Sequence, residues 1–358
     1  MKTVYIPFNE RFGAEEICAE MKMCSRPEFL EQSDDQIPEN SSFEYKMVIP
    51  DNAKYGIDGK LTSYIFLFHG LNERSWQKYD SWAERLAQDT ARAVIMFPIA
   101  FHMNRSPKEW NNPRAMQCLV NSYLTKGKNL VRLSFLNFAL SYRIKADPYR
   151  FYLSGKETIN NVCQLIDQIK SGEHSYISSE AEFDIFAYSI GALLSQVMLQ
   201  ADTFNYFSTS RLFMFCGGSI FSKMNGESKM IMDKESFDLL KEYYLNHFVV
   251  KLEQKGRVGK LEQSFISLID ERFYKEKRES FYESNYPRIK VISLLKDIVI
   301  PTHGIKSALG KSSNSQLEEM DFPYKYSHEM PFPELPGNEL SRENCFRKVF
   351  ASAADFLV

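Results

Sequence analysis

Short apolar runs separated by longer amphipathic stretches recur along most of this chain, and that alternation admits few architectures. Residues 44–50 (EYKMVIP), 63–68 (SYIFLF), 93–99 (AVIMFPI), 183–188 (FDIFAY), 212–216 (LFMFC) and 289–295 (IKVISLL) have the length and composition of strands. Between them, 75–92 places Trp76, Tyr79, Trp82, Leu86 and Ala87 at helical spacing. The stretch 157–170 puts Ile159, Val162, Cys163, Ile166 and Ile169 on one helical face, and 191–200 and 341–357 also read as helices. Strands that alternate with helices predict an α/β fold, a mostly parallel doubly wound sheet covered on both faces.

With 358 residues, 44% of them hydrophobic, the chain is expected to form a single domain over 1–358 with a sizeable core. Two stretches break the rhythm, 101–156 and 221–287. Both follow strands, and in a doubly wound sheet such segments lie over the ligand crevice, so both are candidate lid or cap insertions. The second carries Phe221, Phe237, Tyr243, Tyr244, Phe248, Phe265, Phe273 and Phe281, and any of these that face the crevice would make it apolar. A net charge of −2 argues against a nucleic-acid or anionic-membrane partner, which would favour a basic excess. The opening MKTVYIPFNERFGAEE does not read as a signal peptide, and no run of 18 apolar residues is present, so a cytoplasmic location without a membrane span is expected. The six cysteines, Cys18, Cys24, Cys118, Cys163, Cys216 and Cys345, are scattered and show neither C-x-x-C nor zinc spacing; they are expected to be free thiols. Phosphate-binding glycine loops and H-E-x-x-H are lacking, so neither a nucleotide cofactor nor a metal is implied.

The pentapeptide Ala187-Tyr188-Ser189-Ile190-Gly191 lies between an expected strand and an expected helix. A serine becomes a nucleophile only when it is exposed, oriented and beside a base. A tight strand-to-helix turn supplies the exposure, and it demands small residues two before and two after the serine; Ala187 and Gly191 satisfy that. The free N–H groups of the helix that follows favour negative charge at the same place. Three further clusters stand at the ends of elements: His69-Gly70, Lys296-Asp297-Ile298-Val299-Ile300-Pro301, and Ser327-His328-Glu329-Met330-Pro331.

The pentapeptide resembles the nucleophile elbow of the α/β-hydrolase superfamily, G-x-S-x-G, with Ala187 in place of the first glycine as in some lipase-like members. The resemblance implies a serine hydrolase that cleaves a carboxylic ester or related acyl bond, with Ser189 as nucleophile, Asp297 as acid and His328 as base. His69 and Gly70 would begin the oxyanion-hole loop, with Ile190 giving one backbone N–H and Gly70, Leu71 or Asn72 the other, Leu71 being favoured by the resemblance. Asp321 competes for the acid role but has no expected strand before it. His303 also follows Asp297, yet stands too close to it in the chain to come from a separate loop. The implied partner is a small-molecule acyl substrate; the oligomeric state stays open. Two other functions remain: an acyltransferase using the same triad, which product analysis with competing nucleophiles would reveal, and a hydrolase-fold binding module that no longer catalyses, which would hold Ser189 and His328 beyond hydrogen-bond reach.

Overall fold

A computed structural model describes residues 1–11, 28–124, 131–254, 256 and 258–358. One eight-stranded sheet organises them. Its strands are β1 (Lys2–Asn9), β2 (Ser42–Ile49), β3 (Leu61–Phe68), β4 (Ala93–Met96), β5 (Ile177–Tyr188), β6 (Leu212–Phe215), β7 (Ile289–Leu294) and β8 (Leu317–Met320). Their spatial order is β1-β2-β4-β3-β5-β6-β7-β8. The pairs β1–β2 and β2–β4 are antiparallel, and every pairing from β4 to β8 is parallel. This is the mostly parallel, doubly wound α/β sheet that the alternation predicts.

Successive side chains of a strand point to opposite faces, and β3 shows what each face meets. Phe66 and Phe68 enter one core, with helices Arg150–Lys170 and Ile190–Ala201; Ile65 and Leu67 enter the other, with helices Gln77–Thr90 and Glu339–Leu357. Trp82 closes the second core, its ring 5.1 Å from Tyr188 and 5.6 Å from Phe350. Helix Ile190–Ala201 is buried from Gly191 to its end, held between the sheet and helix Lys260–Ser267. That double burial explains why its sequence is apolar almost all round.

Several elements differ from the sequence reading. β4 ends at Met96, because Pro98 has no N–H to give a ladder. The helix expected from Glu157 begins at Arg150, and Gly155, a poor helix former, hides its first turns. Residues 150–156 therefore belong to a sheet-packing helix. The edge strands β1 and β8 lack apolar runs: β1 is largely exposed, and β8 carries Glu318 and Glu319.

The chain before β2 is tied down at two places. β1 extends the sheet, while Leu30 and Ile37 join Trp110, Met116 and Phe138 in a separate small core under the first insert. The two inserts also meet each other. Helix Phe138–Ala146 packs on helix Lys234–Asn246, where Asp233 N–H donates to Ser141 Oγ at 3.0 Å and Ser236 Oγ donates to Ser141 O at 3.0 Å. Of the aromatics singled out in the second insert, Phe221, Phe237, Tyr244, Phe248 and Phe265 are buried in the main core. Cys118, Cys163, Cys216 and Cys345 are free thiols; Cys18 and Cys24 lie outside the described residues. Among the described residues no helix is long and apolar enough to cross a membrane.

Candidate active site

β5 runs without a loop into helix Ile190–Ala201, and Ser189 alone makes the turn. Its φ of 56° and ψ of −119° lie where a residue with a side chain is strained, a cost of about 1–3 kcal/mol that the surroundings must offset. Those surroundings are tight. A Cβ on Gly191 would stand 2.7 Å from both Cβ and the carbonyl oxygen of Phe68, so only glycine fits. The Gly191 N–H donates to the His69 carbonyl at 3.1 Å, tying the turn to the end of β3. Ala187 is fully buried. Gly217, after β6, is equally constrained, since a Cβ there would lie 2.4 Å from Ala192 Cβ. The Cys216-Gly217-Gly218 run is the sequence signal of that close approach.

Ser189 Oγ lies 2.7 Å from His328 Nε2, and His328 Nδ1 lies 2.7 Å from Asp297 Oδ2. All three residues are buried, with 5%, 3% and 4% of their surface exposed respectively. Asp297 sits in a turn directly after β7, where its other oxygen accepts from Val299 N–H and Ile300 N–H, each at 2.9 Å. His328 comes from the loop between β8 and the last helix. Tyr188 fixes that loop twice: its hydroxyl donates to the His328 carbonyl, and its ring stacks on the imidazole at 5.4 Å. The Cys216 thiol donates to Asp297; burial, and then the Asp297 charge, push it well above the ordinary thiol range, so it stays protonated. Tyr188 falls at an unspecified position of the pentapeptide, and no motif points to these contacts of Tyr188 or Cys216. The competing residues lie elsewhere. Asp321 pairs with Lys296 at 2.9 Å and accepts from Tyr326 Oη at 2.9 Å, and His303 is exposed on helix Thr302–Leu309.

His69 is a fixed strut. Ile99 N–H donates to its Nε2 at 2.9 Å, so the proton is on Nδ1, which donates to the Gly70 carbonyl at 2.8 Å. Full burial holds this imidazole well below the ordinary histidine range, hence neutral. Gly70 N–H donates to Tyr79 Oη at 2.9 Å, and Tyr79 in turn donates to Glu73 Oε1 at 2.7 Å. Gly70 thus has no free donor for an oxyanion. The amides of Leu71 and Ile190 have no partner among the described residues. Asn72, at φ 61°, uses its side chain to donate to Leu136 O at 2.9 Å and Met230 O at 2.6 Å.

These last contacts tie the loop at Asn72 to both inserts. A strap of 228–232 from the second insert is held to the first by Asn137 Nδ2 on Ser228 O at 2.9 Å and by Ser134 Oγ on Lys229 O at 2.5 Å. Ser228 Oγ also donates to the Glu329 carboxylate, next to His328. Three spaces meet at Leu71. One is an apolar cavity of about 50 Å³ along Ile190, Leu193, Leu194 and Val197, with Phe265 its only wall from the aromatics singled out above. A second, of about 70 Å³, is bordered by Arg74, His102, Arg143 and Arg150. The third is an open crevice of about 680 Å³ bordered by Glu73, Lys78, Glu329 and Met330. Among the described residues no group of three or more His, Cys, Asp or Glu side chains is placed to hold a metal ion.

The chain is similar to the esterase domain of a Rhodothermus marinus protein at 7% identity, with 100% of each chain covered and a TM-score of 0.42. It is similar to carboxyl esterase 2 from the mycorrhizal fungus Tuber melanosporum at 8% identity, with 89% of this chain and 82% of that one covered and a TM-score of 0.46. An esterase from Pyrobaculum calidifontis matches at 9% identity, with 99% and 85% covered and a TM-score of 0.43. Comparison with curated proteins finds no matching sequence. A family model matches residues 12–358, and the chain belongs to that family, described as a family of unknown function (DUF6051).

Proposed function

We propose that this protein is a serine hydrolase acting on a carboxylic ester or related acyl bond through an acyl-enzyme. The observation that carries the reading is the pair of 2.7 Å contacts joining Ser189, His328 and Asp297 around a strained turn. Asp297 accepts the Nδ1 proton of His328, which leaves Nε2 free to take the proton of Ser189 Oγ as that oxygen attacks the carbonyl carbon. The carbonyl oxygen becomes negative and is held by the Leu71 and Ile190 amides, the second at the positive end of helix Ile190–Ala201. His328 then gives its proton to the leaving oxygen, the acyl group stays on Ser189, and water repeats the sequence to release the acid.

With Ser189 only 5% exposed, the two inserts act as a lid that has to shift for substrate to enter. A fluorophosphonate probe, which reports an activated serine directly, tests the reading. Wild-type protein is expected to label, and Ser189→Ala and His328→Ala to lose labelling. Equal labelling of all three would remove these residues from the role.

A further inference from the structure

His102 holds a nitrogen that the hydrolytic machinery does not use. Its Nδ1–H donates to the Ala100 carbonyl at 2.9 Å, so Nε2 is an acceptor, and that atom is buried without a hydrogen-bond partner among the described residues. Native proteins leave few buried polar atoms bare, and this acceptor, itself almost without accessible surface, belongs to a side chain that borders two cavities, where a ligand's donor could meet it once the site opens. Burial pushes the imidazole down to about 4, so the ring is neutral near pH 7 and the acceptor persists.

The position of this nitrogen relates it to the reacting carbonyl. His102 borders both the apolar cavity along helix Ile190–Ala201 and the cavity beside Arg143 and Arg150. An ester held by Ser189 directs its carbonyl oxygen to the Leu71 and Ile190 amides. Its leaving group has to lie within reach of His328, toward the crevice that Glu329 and Met330 border. The acyl part is left to run the other way, along Ile190, Leu193, Leu194 and Val197, with His102 at its side. An ammonium donor is disfavoured here, because Arg74, Arg143 and Arg150 outnumber Asp34 and Glu73 around the adjoining space.

We propose that the acyl subsite selects an acyl group that is apolar along its length and carries one hydroxyl, which donates to His102 Nε2. This rests on the serine-hydrolase reading above. His102 is then a specificity-determining residue.

The test compares matched p-nitrophenyl esters: octanoate against its 3-hydroxy and 8-hydroxy derivatives, and 3-phenylpropanoate against its 3- and 4-hydroxyphenyl derivatives. The readout is the ratio of kcat/KM, hydroxylated over plain, within each protein. A ratio of roughly ten or more is expected in at least one pair for wild type, the worth of one buried hydrogen bond made or missed. It should fall to near unity in His102→Phe and be partly kept in His102→Gln, whose carboxamide oxygen accepts. His102→Leu serves as a second acceptor-free variant, and variants are compared only if they melt as cooperatively as wild type. A wild-type ratio near unity in every pair, or a preference unchanged in His102→Phe and His102→Leu, overturns the proposal. Absence of fluorophosphonate labelling would instead sink the serine-hydrolase reading. Calorimetric binding of the free hydroxy acids and plain acids then decides the subsite alone: a preference for the hydroxy acid lost in His102→Phe supports it, and no preference overturns it.

Discussion

Asp297 divides its two oxygens between two tasks: Oδ2 faces His328 Nδ1, and Oδ1 accepts from the amides of Val299 and Ile300. Asparagine at this position could serve only one of them as an acceptor. Its single oxygen would turn to the two amides, and its NH₂ would face Nδ1. The imidazole would then carry its proton on Nε2, unable to accept from Ser189. We therefore expect Asp297→Asn to lower kcat on a p-nitrophenyl ester by roughly 10³–10⁴-fold with little change in KM. A fall of less than about tenfold would mean that the tautomer is set elsewhere. The candidates Ser189, Asp297 and His328 are legible because each stands in a short local pattern at the end of an element. Tyr188, Cys216 and Tyr79 are not, since their meaning lies in partners far along the chain. Tyr188 reaches the carbonyl of His328, and only the fold brings those two together. His102 looks like any histidine until its orphaned Nε2 is seen.

Elements divide in the same way. The inner strands read directly from their apolar runs because both faces of the sheet are covered, so most of their side chains are apolar, with Asp184, Lys290 and Ser293 among the exceptions. Edge strands escape, as β8 with its two glutamates shows. The inserts read as breaks in the rhythm, but how they interlock depends on side chains such as Asn72, Asn137 and Ser228 meeting backbone carbonyls or a carboxylate from distant segments. That interlock leads to a test at the scale of the element. If the strap 228–232 is the part of the lid that moves, Ser228→Ala removes its tie to Glu329 and favours the open form. Fluorophosphonate labelling of Ser189 should then speed up by roughly two- to tenfold, the range set by one net hydrogen bond, while the melting temperature changes little. An unchanged labelling rate would place the gate at another segment.

For the molecule as a whole, the net charge of −2 makes general repulsion small near neutral pH, so acid stability turns on particular buried groups. Three of them are histidines held neutral. Burial puts His69 well below its ordinary value and pushes His102 and His174 each down to about 4. In the unfolded chain each takes a proton near pH 6.5, whereas the folded protein refuses it until far lower. The unfolded state then binds more protons, so this stability is fully present above about 6.5 and is lost as pH falls toward 4. Glu157 works in the opposite sense: burial raises its carboxyl above the usual range despite Arg105 at 2.9 Å, so its share is present in acid and lost as pH rises through about 7. Burial raises the Glu10 carboxyl too, in the same sense, and these two carboxyls against three imidazoles leave a net loss on acidification. Urea unfolding at pH 7.5, 6.0 and 5.0 should show stability declining with pH. In His102→Phe the decline should be shallower by about 2 kcal/mol between pH 7.5 and 5.0, the share expected of one imidazole whose value drops from 6.5 to about 4. Equal slopes in the two proteins would show that His102 takes up its proton in the folded state as readily as in the unfolded one. Its Nε2 would then not be the neutral acceptor on which recognition of a hydroxyl depends.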